Sequence, residues 1–149
     1  VKLAHLAAFD VHLDPVLDLG DSHRGRRRVV NIVGGTFDGP RLAGEILPGG
    51  ADWQLLHPDG SAEIDTRSTL RTHDGALLHL TTNGVRHGPP EVLRRLAAGQ
   101  EVDPGEYYFR LFCRFETGDE RYRWLNHTLA VASAARTGSA VRYTAFALT

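Results

Sequence analysis

Polar and apolar side chains alternate along most of this chain. From Phe9, the residues Val11 and Leu13 fall on one side and Asp10, His12 and Asp14 on the other, the two-residue period of a strand with one face buried. The same alternation runs through RLAGEIL (41–47), AEIDTRSTLRT (62–72), YYFRLFCRFET (107–117) and SAVRYTAFAL (139–148). Between the strands stand DGP, LPGG, HPDG and HDG, sequences that favour tight turns. Turn signals recur about every ten residues, the spacing of sandwiches and barrels. One segment breaks the rhythm: after Pro89 and Pro90, the residues Val92, Leu93 and Leu96 keep helical spacing up to Gly99. This predicts a single short helix over 90–98, with Pro90 in its first turn. GDSHRGRRR (20–28) reads as a polar loop leading to a solvated strand entrance. Gly34 and Gly35, inside the strand that follows, read as a bulge or a sharp corner. The stretch RYRWLNHTLAVASAAR (121–136) reads as a further strand entered through a loop.

Composition narrows the classes of function. The chain has 149 residues, 42% of them hydrophobic and 23% charged, enough for one domain with a core of its own. We expect a single domain over 1–149, since no linker or repeat divides it. A formal net charge of -1 gives no reason to expect nucleic acid or an anionic membrane as partner. No apolar run reaches the length of a membrane helix. The first segment is interrupted by His5, Asp10 and His12, unlike a secretory signal. The lone Cys113 excludes an internal disulfide and a thiolate zinc site, and a cytoplasmic location is expected. The eight histidines show neither His-x-His nor His-x-x-x-His spacing, so no metal is expected. Gly34-Gly35 lacks the Lys and Ser/Thr of a phosphate loop, and no Gly-x-Ser-x-Gly elbow is present.

Three strings carry a family resemblance: GGTFDGPRLAGEILPGGADWQL, DTRSTLRTHDGALLHLTTNGVR and YYFRLFCRFETGDERYRWLN. They resemble the DUF3237 family, also called UPF0311, from about Gly34 to Asn126. The matching positions include Asp52 and Trp53, Asp65 and Arg67, Asn83 and Arg86, Phe109 and Arg110, and Trp124, Leu125 and Asn126. The resemblance implies an all-β fold: one closed antiparallel barrel of the calycin-like or allene-oxide-cyclase-like kind, with one short helix. It also implies a homodimer. Ser68 departs from the family pattern, where an aromatic such as Tyr is expected, and the exchange would widen a pocket beneath it.

The candidate chemistry rests on which face of each strand points inward. Asp65, Arg67 and Arg71 share one face of their strand, and Ile64, Thr66, Ser68 and Leu70 share the other. The first set is either a solvated ladder of ion pairs or the wall of a polar pocket. Arg110 and Glu116 pose the same question on a strand whose other face is apolar. If these faces line a pocket, Asp65 and Glu116 are the acid/base candidates, and Arg67 and Arg110 would hold an enolate or carboxylate oxygen. Trp53, Tyr108, Trp124 and Asn126 would then contact the ligand. The inventory suits cofactor-free chemistry by a cyclase, isomerase or hydro-lyase on a small hydrophobic, polyketide-like or unsaturated carbonyl compound. Two other readings stand beside it: a carrier barrel for a small hydrophobic molecule, and a structural module packed solid.

Overall fold

The computed structural model describes residues 1–149. Ten strands run β1 (Leu3–Leu13), β2 (Leu17–Ser22), β3 (Gly25–Asp38), β4 (Gly44–Ile46), β5 (Gly50–Leu56), β6 (Ala62–Thr72), β7 (Leu77–His87), β8 (Tyr108–Glu116), β9 (Leu129–Thr137) and β10 (Ala140–Leu148). Helix α1 (Pro90–Ala97) lies between β7 and β8, and short 3-10 helices occupy Pro104–Glu106 and Glu120–His127. All pairings are antiparallel, and β1 closes the sheet by pairing with both β10 and β3. The short β4 and β5 both lie between β3 and β6 and together fill one position. The result is a closed barrel of eight positions. β2 pairs with β3 alone and extends beyond the barrel.

Closure removes the edges of these eight positions and gives each of their strands an inner and an outer face. The interior of an eight-stranded barrel is just wide enough to be filled by side chains or to hold one small ligand. Near one end it is filled. Phe9 stacks on Phe37 at 5.6 Å and on Tyr143 at 4.7 Å, with Phe115 at 6.4 Å. Leu42, Leu70, Leu78, Leu80 and Leu125 are all but inaccessible in the same core. The 3-10 helix 120–127 helps shut this end: Tyr122 Oη donates to Asp74 Oδ1 at 2.8 Å, and Arg121 Nη1 donates to the Asp74 carbonyl at 3.0 Å. Helix α1 sits at the other end, burying Val92 and Leu96.

Three expectations for local structure need correction. The polar segment 20–28 is a hairpin, because Gly25 at φ 132° allows the chain to turn back and Arg26 is anchored to Asp18 at 2.6 Å. The strand expected over 41–47 shrinks to Gly44–Ile46. Residues 120–127 form a 3-10 helix, and the strand begins only at Leu129. Asp119 caps that helix by accepting from the Arg121 amide at 2.9 Å, a side-chain bond that competes with extended structure. No helix is long and apolar enough to cross a membrane.

The corner expected at Gly34-Gly35 is present. β3 changes partner there, from β5 to β4 on one edge, and its register with β1 shifts between His12 and Leu13. Gly35 has φ 144°, and a Cβ at that position would stand 2.0 Å from the Asp10 carbonyl oxygen. Gly35→Ala therefore forces the β1–β3 seam apart. The expected cost is about 3 kcal/mol, or roughly 10 °C in Tm for a domain of this size. Thermal unfolding checks this, and an unchanged Tm would show that the seam is not tightly closed.

Candidate active site

The inward faces of β5, β6 and β7 carry an unusual set of polar residues for a barrel interior. Asp52, Gln54, Ser68, Thr82 and Arg86 are all buried, although polar residues favour the outside. With Thr66 they form one wall of a cavity with about 60 Å³ of free room, enough for several waters. Val11, Val30, Ile32, Leu111, Val141 and Tyr143 form much of the apolar wall.

Asp52 is the centre of this wall, and the strand pairing explains its position. β5 and β6 keep one register on both sides of Trp53 and Gln54 but form no pairs at those residues. The backbone groups in the gap find side-chain partners. The Asp65 amide donates to Asp52 Oδ1 at 3.0 Å, and Arg27 Nη1 donates to the Trp53 carbonyl at 2.8 Å. Gln54 Nε2 donates to Asp52 Oδ2 at 3.2 Å, while Gln54 Oε1 is buried with no partner. Thr66 and Thr82 join their hydroxyls across β6 and β7. Burial raises the Asp52 carboxyl above its usual value. The Asp65 amide, the Gln54 amide and the Arg86 charge oppose the rise without cancelling it.

Arg86 occupies the same wall nearer α1, opposite Phe109, whose ring centroid lies 5.6 Å from the guanidinium carbon. Burial, and then the neighbouring charges of Arg136 and Arg28, pull its pKa down to about 10. It therefore stays cationic at neutral pH. Tyr143, fully enclosed beside the cavity, is held protonated by burial. Burial pushes the Cys113 thiol up to about 12, which makes it a poor nucleophile.

The residues expected to line the pocket lie elsewhere. Along β6 the inward set is Ile64, Thr66, Ser68 and Leu70, so Asp65 and Arg67 face out. Asp65 accepts from Asn83 Nδ2 at 3.1 Å, and the Arg67 guanidinium sits 5.4 Å from the ring centre of Trp53, also on the outside. Arg110 and Glu116 are exposed on β8, and Arg110 lies beside the exposed Tyr108. Arg41 covers the half-buried Trp124 at 3.7 Å. Asn126 serves the backbone, accepting from the Thr117 amide at 2.8 Å and donating to the Thr117 carbonyl at 2.9 Å. None of these eight residues lines the interior cavity: on β5, β6 and β8 the alternation gives the inner face to their neighbours, and Trp124 and Asn126 lie on the 3-10 helix at the opposite end. Ser68 does line it, at the position where the family resemblance led us to expect an aromatic ring.

The interior residues were detectable as charges out of phase. Arg86 shares its face with Leu78, Leu80 and Thr82, and Arg136 shares its face with Ala130, Ala132 and Ala134. A charge in step with buried residues is the signal; charges in step with one another mark the wet face.

The comparisons agree with this architecture. The family model described as "Protein of unknown function (DUF3237)" matches residues 1–148. The UPF0311 protein RPA1785 of Rhodopseudomonas palustris is 41% identical over 136 residues, spanning 91% of this chain and 89% of that protein. A beta-barrel like protein of Acinetobacter baumannii AYE superposes with a TM-score of 0.88 at 51% identity, covering 99% of this chain and 96% of its own. A structure described as an enzyme from Penicillium herquei shares the fold, with a TM-score of 0.71 at 20% identity over 97% of this chain and 93% of its own. The PR-toxin biosynthesis cluster protein 7 of Penicillium roqueforti is 25% identical over 144 residues, 84% of this chain and 77% of that protein. By the whole-chain match and its close relatives, this protein belongs to the DUF3237 (UPF0311) family.

Proposed function

We propose that the barrel is a cofactor-independent acid/base enzyme for a small, largely apolar carbonyl compound, a cyclase, isomerase or hydro-lyase. The observation that carries this reading is Asp52: a buried carboxyl of raised pKa, fixed by two hydrogen bonds, on the wall of a cavity. Burial makes the ionised form a stronger base than a solvated carboxylate, and brings its pKa closer to working pH. The biosynthetic-cluster relative and the enzyme that shares the fold are consistent with a catalytic barrel.

The chemistry follows from the placement of the groups. Asp52 removes a proton from a carbon next to the carbonyl, or from a hydroxyl that adds to a conjugated double bond. The electron pair moves to the carbonyl oxygen, and the enolate charge faces the guanidinium of Arg86 and donors such as the Tyr143 hydroxyl. Protonated Asp52 then returns the proton to carbon. In isomerisation and ring closure no atom is gained or lost; in a hydro-lyase step the proton leaves with hydroxide as water. The apolar wall limits the shapes that a flexible substrate can take, which lowers the entropic part of the barrier.

Solvent-deuterium incorporation tests this without knowledge of the natural substrate. The protein is incubated in D2O with small cyclic ketones and enones, and exchange next to the carbonyl is followed by NMR. We expect exchange with at least one compound, a loss of about 100-fold or more in Asp52→Asn, and no loss in the outward Asp65→Asn. Binding without exchange would assign the barrel to carriage; equal exchange by Asp52→Asn would remove Asp52 from the reaction.

The same substitution has an opposite expected effect on stability. Below the ordinary carboxyl value of 3.8, Asp52 is protonated in both the folded and unfolded states and has no pH-linked effect. As pH rises, the unfolded chain ionises first, so the native state loses stability until its own raised pKa is passed. The amide side chain of the Asp52→Asn variant does not titrate and keeps an oxygen for the Asp65 amide; its nitrogen can donate to the unpartnered Gln54 Oε1. At neutral pH Asp52→Asn is expected to gain on the order of 1 kcal/mol, about 2–4 °C in Tm. The gain should vanish in acid. A lower Tm at neutral pH would show that the carboxylate is a net stabiliser.

A further inference from the structure

Three arginines converge where the barrel opens towards α1. Arg28 on β3, Arg86 on β7 and Arg136 on β9 line a cleft with Leu56, Leu93 and Leu96. Arg86 and Arg136 also line the interior cavity, so they form the boundary between cleft and barrel. Their strands enter the mouth from three sides, which makes the convergence a product of barrel closure. The charges interact: Arg136 and Arg28 both depress Arg86, and Arg136 depresses Arg28.

No carboxylate of the chain lies within bonding distance of the three guanidiniums. None of the three guanidiniums makes a hydrogen bond or a salt bridge, and Arg28 Nε is buried with no partner. Arg86 is only 8% exposed. The acids nearby are engaged: Asp18 is bound by Arg26 at 2.6 Å, Asp59 by Ser61 at 2.6 Å, and Asp52 by the Asp65 amide and Gln54. With Arg94 at the rim, four arginines line the cleft and cavity against the two carboxylates of Asp52 and Asp59, which leaves an excess of positive charge. A buried donor such as Arg28 Nε is costly to leave unpaired, and guanidiniums match the planar oxygens of a carboxylate.

We infer that Arg28, Arg86 and Arg136 bind the carboxylate of an organic acid whose apolar body lies in the barrel beside Asp52. This rests on reading the cavity as a small-molecule site and names the substrate class: a small carboxylic acid, with its reacting carbon a short distance from its anionic head. Inorganic phosphate offers the arginines a charge but leaves the apolar wall uncovered. The carboxylate anchors the substrate from the mouth, and the remaining donors of Arg86 stay turned to the cavity.

Thermal shift and calorimetry with three probes at constant ionic strength test this: benzoate, benzyl alcohol and inorganic phosphate. The expected result is that benzoate raises Tm and binds more tightly than either other probe. R28Q and R136Q should each weaken benzoate about tenfold or more, while the outer-face R110Q should not. Neither mouth variant removes a hydrogen bond from the fold, and the unliganded Tm of each verifies that it is folded. Phosphate binding as tightly as benzoate would overturn the inference in favour of a simple anion patch. Equal binding of benzyl alcohol and benzoate, or full benzoate binding by R28Q and R136Q, would overturn the carboxylate subsite while leaving the cavity reading intact. If no probe binds, the subsite and the small-molecule reading both fall.

Discussion

The bond from the Asp65 amide to the Asp52 carboxylate, 3.0 Å long, is the contact on which the rest depends. A closed barrel must satisfy the backbone groups that it buries. Here one ladder position is handed to a side chain, and that side chain is ionisable. Asp52 therefore cannot turn away without leaving an amide unpaired. It is held in one place, facing the cavity, at a site where burial disfavours its charge. Fixed geometry and an elevated pKa, two requirements of a proton-transfer group, come from the same local arrangement.

The two ends of the barrel differ in what fills them. At the end near Asp74, the rings of Phe9, Phe37 and Phe115 and the leucines around them fill the interior, and Arg121 and Tyr122 fasten the 3-10 helix across the opening. Towards α1 the interior changes character, first to the hydroxyls of Ser68, Thr66 and Thr82 and then to unpaired guanidiniums. Such an end is costly to hold in a folded protein. A well-packed opposite end can carry that cost, as is common where function needs strained or uncompensated groups.

The fold was largely legible because alternation, turn chemistry and the Pro-initiated helix all express local physics. What resisted reading was direction. On β6 the sequence shows that Asp65 and Arg67 share a face, but a one-residue change in orientation exchanges inside for outside, and a polar pocket wall would carry the same charges as a wet face. The choice comes from closure. The 3-10 helix at 120–127 has a related cause: the loop expected before the strand is wound by the Asp119 cap, a contact that alternation does not reveal. Asp52 and Arg86 stand within the family pattern, but the outer charges of β6 and β8 are clustered and theirs are isolated. Arg86 in phase with Leu78 and Leu80 was the better clue, since a charge among buried neighbours must be compensated or used.

Asp52 is thus a buried, fixed carboxyl on the inner wall of the barrel, with its pKa raised by burial. A pH titration of the Asp52 side-chain carbon by 13C NMR, assigned by comparison with Asp52→Asn, tests it most directly. An inflection above the ordinary value of 3.8 is expected, because desolvation outweighs the two hydrogen bonds and the field of Arg86. An inflection at or below 3.8 would contradict it, and would make Asp52 a structural acceptor for the Asp65 amide with no special capacity to move a proton.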